Sequence, residues 1–444
     1  MMRLLLLLPC LALLRLSADD LQVDPVRGDD AADGRSAPVR TLARAIRLAG
    51  PGDTIHLQPG VVYSDSAVFA NKHGEPGRPI TLDGHGAILD GSEPVRAAEW
   101  EALGGGLFRK SDLVPSLNDA MLGRWFFLWD GRMNTMGRTS KGPKAAFKKP
   151  TELQPGEWTH ADGAFYLRLA EGADLDAANI RYPARANAVS QAGKGSHLVI
   201  RNVTGRHVYN DGFNVHGSQR ALVFENIAAI ECGDDGFSAH EDAECRIDGF
   251  VSMGNSTGLC DTVSSVTHYR NVYIRDCQGY DVFFIGDSPH SMENVIVEST
   301  AARALEIARH NDRPQNGVGE VVLKNVLIRR VAPTPGVAHV GAGVRLRMEN
   351  CTLEGVQFTA AAGGETEARR SVFRGQSRLE IREGARWAGQ GNRYDLLELV
   401  VGARRFGAAD FVSFQQAVQG EVGSAWGKGE GAGADSSWHD KKSP

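Results

Sequence analysis

The chain has 444 residues, of which 42% are hydrophobic, 23% charged and 7% aromatic, with a formal net charge of −5. This balance excludes disorder, a collagen-like repeat and a polytopic membrane protein, and the acidic sign gives no basis for a nucleic-acid partner, which would draw on a basic excess. Glycine is abundant at 52 residues while proline at 18 is ordinary, a composition of many turns and short strands.

Residues 1–18 carry Arg3, an apolar run from Leu4 to Leu14 and then small and polar residues, the three-part pattern of a secretory signal peptide. The run is too short to span a bilayer, so no membrane span is expected and the mature protein should be secreted or periplasmic. Pro9 stands before Cys10, where a lipid-attachment signal would carry a small residue. The other cysteines, Cys232, Cys245, Cys260, Cys277 and Cys351, are odd in number and lack zinc-site spacing. One or two disulfides are compatible with export, and none is required.

Residues 19–95 open with a short segment between Pro38 and Gly50-Pro51, where Val39, Leu42, Ile46 and Ala49 recur at helical spacing. A strand follows. The apolar face of such a helix needs something to cover, and the open first coil of a solenoid needs a lid. Gly28-Asp29, Ala37-Pro38 and Pro51-Gly52-Asp53-Thr54-Ile55 resemble the opening elements of secreted right-handed parallel β-helix proteins, the pectin-lyase-like superfamily. That resemblance implies an all-β solenoid with an N-terminal capping helix.

Between residues 96 and 183 any repeat lapses, and Trp125, Phe126, Phe127, Trp129, Trp158, Phe165 and Tyr166 cluster among alternating runs. An inserted antiparallel β subdomain is expected here, as in several β-helix carbohydrate enzymes. Within it Arg132, Arg138, Lys141, Lys144, Lys148 and Lys149 form a basic loop. The loop reads either as a solvated surface or as a rim that attracts acidic groups of a glycan, with Lys141 and Lys144 as the candidate contacts.

Residues 184–405 repeat. Asn202, Asn226, Asn271, Asn294, Asn325 and Asn350 each sit in a hydrophobic strand, with Asp248 in the one missing slot, at separations of 24, 22, 23, 23, 31 and 25. Such a period signals stacked coils. Eleven residues after successive anchors come Phe213, Phe237, Leu259, Val282 and Leu305, which should stack along the interior one strand spacing apart. The Asn column itself is expected to be an internal ladder satisfying backbone groups at a turn. In residues 406–444, the stretch Phe406 to Val418 is expected to cap the far end, and the Gly/Ser-rich tail beyond about 420 to be loose.

Two neighbouring coils carry near-duplicates: Tyr209-Asn210-Asp211-Gly212-Phe213-Asn214-Val215-His216, then Gly233-Asp234-Asp235-Gly236-Phe237-Ser238-Ala239-His240-Glu241-Asp242. Asp211 and Asp235 share one repeat position, and His216 and His240 another. Later coils place Thr257, Tyr280 and Arg303 at the acidic position, so the acidic groups are confined to one patch. Carboxylates stacked one strand spacing apart repel, which should raise the pKa of at least one and leave a proton donor beside an ionised partner. That pair suits glycoside hydrolysis, and an offset of a rung plus a residue between Asp211 and Asp234 is expected to approach the ~6.5–9.5 Å of an inverting pair. Asn-Asp-Gly and Asp-Asp-Gly are also favoured turn sequences, which is the purely structural alternative.

The two turns resemble those of inverting β-helix hydrolases such as polygalacturonases, with an Asn-Thr-Asp turn and a Gly-Asp-Asp turn one coil on, and the aspartate trio of β-helix α-1,3-galactosidases. By that resemblance Asp211 is the general acid, and Asp234 with Asp235 activates water. Tyr209, Asn210, Asn214, His216, His240 and Glu241 are then candidate substrate contacts. The Thr is missing here, Gly254-Asn255-Ser256 stands where Gly-His-Gly would, and no Arg-Ile-Lys follows. The expected partner is a polysaccharide, the expected state a monomer, and no cofactor is required. A calcium-assisted lyase on a uronate glycan is the nearest alternative, with His216 or His240 as base and Asp234, Asp235, Glu241 and Asp242 as oxygen ligands. No Lys or Arg is stacked beside the acids in the repeats, which counts against it. A noncatalytic glycan-binding surface solenoid is the third reading.

Overall fold

In the computed structural model, which describes residues 20–310 and 318–427, the chain winds into a right-handed parallel β-helix with two long parallel walls. The expected signal peptide, Cys10 and the tail from residue 428 lie outside the described residues. One wall is built of long strands such as Leu198–Arg206, Ser218–Ile230, Asp242–Met253 and Val266–Arg275. The other has 12 strands, among them Phe213–Val215, Asp235–Ala239, Thr257–Val263, Tyr280–Gly286 and Arg303–Ala308.

The predicted interior column is present. Phe213 faces Phe237, which faces Leu259, then Val282, then Leu305, each within 1% of full burial. Parallel strands buried on their inner face hold register through such columns, because a one-residue slip would send every apolar side chain outward.

The Asn ladder differs from expectation. Asn202, Asn226, Asn271, Asn294, Asn325 and Asn350 all adopt the left-handed conformation, with φ between 51° and 55°. Their side chains lie on the outer surface and bond to each other across rungs, as in Asn226 to Asn202 at 3.3 Å and Asn325 to Asn294 at 3.2 Å. Asn is chosen because its short amide tolerates this region better than other side chains. At the Asp248 coil the next residue, Gly249, takes the positive φ instead (78°).

The capping helix spans Leu42–Leu48, with Thr41 as N-cap accepting from the Arg44 N–H at 3.2 Å. Leu42, Ala45 and Ile46 face the first coil and are buried, and each large aliphatic side chain contributes about 1.5–3 kcal/mol. At the far end the helix Phe411–Val418 closes the core with Phe411 and Phe414. Residues 420–427 are ordered against it, contrary to expectation. Glu421 is fully buried and accepts from Trp387 Nε1 (2.6 Å), Tyr394 Oη (2.7 Å) and Ser424 Oγ (2.5 Å), while Ala425–Trp426 adds a strand to Arg393–Asp395.

The inserted subdomain begins at Ser92, four residues before its predicted start, and holds two four-stranded antiparallel sheets. Its core is Trp125, Phe127, Trp158, Phe165 and Leu167, so the aromatic cluster was a core signal. The short helix Asp119–Gly123 was not predicted. The insertion's ends meet: the Ala184 N–H donates to the Gly91 carbonyl at 2.8 Å. The five cysteines within the described residues are free and buried, and no helix there is long and apolar enough to cross a membrane.

Candidate active site

Asp211 and Asp235 lie where the chain turns into the short-strand wall, on adjacent rungs. The glycines that follow them are not there for positive φ. A Cβ on Gly212 would fall 2.6 Å from that of Ala229, and one on Gly236 would fall 2.5 Å from Ser252 Oγ. Close coil packing therefore explains Gly in both turns, while Asp211 Oδ1 accepts the Asp235 N–H of the next rung at 3.0 Å, as Asn187 Oδ1 accepts the Asp211 N–H one rung earlier at 3.1 Å.

The three aspartates converge. Asp211, Asp234 and Asp235 each place one oxygen within 4.8 Å of the others, the only such group of three His, Cys, Asp or Glu among the described residues. This is tighter than the inverting separation expected from rung and offset. The cluster is roofed by the insertion. Lys141 Nζ bridges Asp234 Oδ1 and Asp235 Oδ1, at 2.6 Å to each, and Arg124 Nη1 reaches Asp234 Oδ2 at 2.6 Å. Ser140 fixes the roof by bonding through its N–H (2.8 Å) and hydroxyl (2.9 Å) to Ser256 Oγ. The side chains of Lys141 and Asp234 remain 26% and 11% exposed, so solvent reaches the cluster on that side.

The three carboxyls are electrostatically distinct. Burial, reinforced by the Asp234 charge, pushes Asp211 up to about 6, although it accepts from Asn214 Nδ2 (2.5 Å) and the Asp235 N–H (3.0 Å). Asp234 moves the other way: burial alone would raise it, but the cations Lys141 and Arg124 outweigh burial and hold it well below the usual carboxylate range. Burial and the neighbouring Asp234 charge push Asp235 well upward. Burial would lower Lys141, yet the two aspartates hold its ammonium charged. A proton-bearing carboxyl thus sits beside a carboxylate kept ionised, the division that acid–base chemistry needs.

The histidines stack as predicted, with ring centroids 4.2 Å apart at 8°. His240 is bonded to Ser238 Oγ (2.5 Å) and Thr262 Oγ1 (2.8 Å), and burial, with His216 beside it, lowers it to about 4. It is therefore neutral near pH 7. His216 Nδ1 meets Glu241 at 3.0 Å, and Glu241 also accepts from the Gly217 N–H. Asp242 turns away to Arg220 and Ser218. The proposed calcium set of Asp234, Asp235, Glu241 and Asp242 is thus not brought together.

Other candidates fall differently. Asn210 bonds to Asn187 Oδ1 at 2.8 Å and to Asp211 Oδ2 at 3.2 Å, inside the cluster. Tyr209 packs on Trp125 with centroids 6.0 Å apart, which draws it into the joint with the insertion. Lys144 is exposed and lies against Gly123, outside the cluster. The cations on the acids come from the insertion, which supplies two. Arg124 was missed because no periodicity marks it, being 110 residues from its partner. Asn187 was legible: it stands one coil, 24 residues, before Asp211. Asp261 and Asp281, on the following two coils, are fully buried, and Asp261 accepts from Thr267 and Tyr269.

No protein-family profile matches the chain, and no curated protein matches it. Solved structures do. The complex of XylC with xylose is 11% identical, with a TM-score of 0.52 over 92% of this chain and 82% of that one. A glycoside hydrolase (13% identity, TM-score 0.46, 96% and 98% covered) and the pectate lyase Pel9A (14%, 0.41, 87% and 78%) are also similar. At such identity the likeness to the first of these structures bears on the fold alone.

Proposed function

We propose that the chain is a secreted or periplasmic enzyme, acting as a monomer, that hydrolyses glycosidic bonds of a polysaccharide at the Asp211, Asp234 and Asp235 cluster. One observation carries the reading: below its raised value of about 6, Asp211 keeps a proton next to Asp234, which Lys141 and Arg124 hold ionised. Asp211 protonates the departing glycosidic oxygen, and Asp234 takes the proton of the attacking water. Inversion is the proposed outcome. It requires the Asp211 and Asp234 carboxyls, whose oxygens lie within 4.8 Å, to part toward the ~6.5–9.5 Å of an inverting pair as sugar and water enter. No metal is invoked, because a lysine ammonium already bridges the carboxylates.

The test is a panel of polysaccharides assayed for new reducing ends, for the absorbance of an unsaturated uronate, and for the anomer first released by NMR. Reducing ends without that absorbance, insensitive to chelator and abolished in Asp211→Asn and Asp234→Asn, are expected. A uronate lyase is the second reading, favoured by the cations beside the acids, which could neutralise a uronate carboxylate. Absorbance from unsaturated product would establish it and overturn hydrolysis.

A further inference from the structure

We propose that Tyr280 and Phe283 form a sugar-stacking subsite next to the carboxylate cluster, so that the chain holds several consecutive pyranose rings of a glycan. The identity of the ligand rests on the reading above. The placement follows from register. Asp235 pairs with Thr257, which pairs with Tyr280, and Ser238 pairs with Cys260, which pairs with Phe283. Both aromatics therefore stand two rungs from the cluster, about 10 Å away at the ~4.8 Å strand spacing.

On the intervening rung Thr257 and Cys260 are buried, whereas Tyr280 and Phe283 are partly exposed on the outer side of the wall. Their ring centroids lie 4.9 Å apart at 49°. At the position of Phe283 the preceding rung carries the buried Cys260, the rung before that Ser238, and the following rung Glu306. A pair of rings left open on a polar wall suits a ligand with an apolar face and a hydroxylated rim, which is what a pyranose presents.

The roof reaches this rung. A Cβ on Gly279, just before Tyr280, would fall 1.9 Å from the Lys141 carbonyl, so the loop that covers the aspartates lies against the residue that precedes the aromatic pair. Beyond it Glu306 pairs with Arg303 at 3.2 Å and His339 at 2.7 Å, giving polar groups for ring hydroxyls. Cluster, aromatic pair and polar group lie in line along the axis, as a chain of sugars would.

The test uses disaccharides and hexasaccharides prepared from pectic, xylan and galactan polymers, with calorimetric binding in the Asp234→Asn protein and kinetics in the wild type. Phe283→Ala with Tyr280→Ala should weaken hexasaccharide binding, and raise KM for it, on the order of tenfold, with disaccharide values little changed. Phe283→Tyr should restore binding, and matched melting curves exclude misfolding. Unchanged hexasaccharide affinity in the double variant, with cleavage still abolished by Asp211→Asn, would overturn the subsite and leave hydrolysis standing. Binding that is lost in the double variant of a protein that cleaves nothing would support the subsite and overturn hydrolysis. A wild type that binds no member of the panel overturns both.

Discussion

Asp211→Asn offers a measurement that needs no substrate. Moving the Asp211 carboxyl from its ordinary 3.8 to about 6 means that the folded protein binds this proton more tightly than the unfolded chain does. The contribution is fully favourable below the unfolded value and is lost as pH rises toward 6. Above both values the penalty reaches about 3 kcal/mol, at ~1.4 kcal/mol per pH unit. An amide cannot ionise, so the variant lacks that slope. Asn also disturbs the bonds from Asn214 and the Asp235 N–H, but that cost is the same at every pH and cancels in the difference. Urea unfolding of both proteins across this range should show the variant gaining about 3 kcal/mol on the wild type as pH rises to ~7. Parallel stability curves would refute the raised carboxyl and with it the proton-donor role of Asp211.

Lys141→Met should destabilise the protein by about 2–4 kcal/mol near neutral pH, because Asp234 keeps only Arg124. Its cost should shrink as pH falls through the depressed Asp234 value, and limited proteolysis should find the loop around residue 141 opened; a change below ~0.5 kcal/mol would count against the clasp. Asn226→Ala, which leaves φ 51° without the short amide that tolerates it, should cost about 1–2 kcal/mol in urea unfolding, while Asn226→Gly should be near neutral. Glu421→Ala should cost about 3 kcal/mol by leaving Trp387, Tyr394 and Ser424 without their acceptor, with Glu421→Gln recovering part of it in the same assay.

The solenoid was legible because its physics is local and repeated: one coil's apolar pattern predicts the next, and Phe213 through Leu305 stack as their spacing required. The acid cluster was legible for the same reason, since Asp211 and Asp235 share a repeat position. Its neutralisation was not. Lys141 and Arg124 belong to a segment with its own core and no period, and nothing in the sequence tells which coil that segment leans on. The Asn column was found by spacing but set on the wrong side of the wall, because spacing fixes recurrence and not the sign of φ. Glu421 was hidden by Gly- and Ser-rich neighbours whose composition resembles a loose tail.

The hydrogen bond between Ala184 and Gly91 places the exit and return of the insertion side by side. The module that carries Arg124 and Lys141 thus leaves and re-enters the spiral at one place, so a short turn could span the gap, and the cost of removing it would fall on Asp234 and Asp235, which would lose their counter-charges.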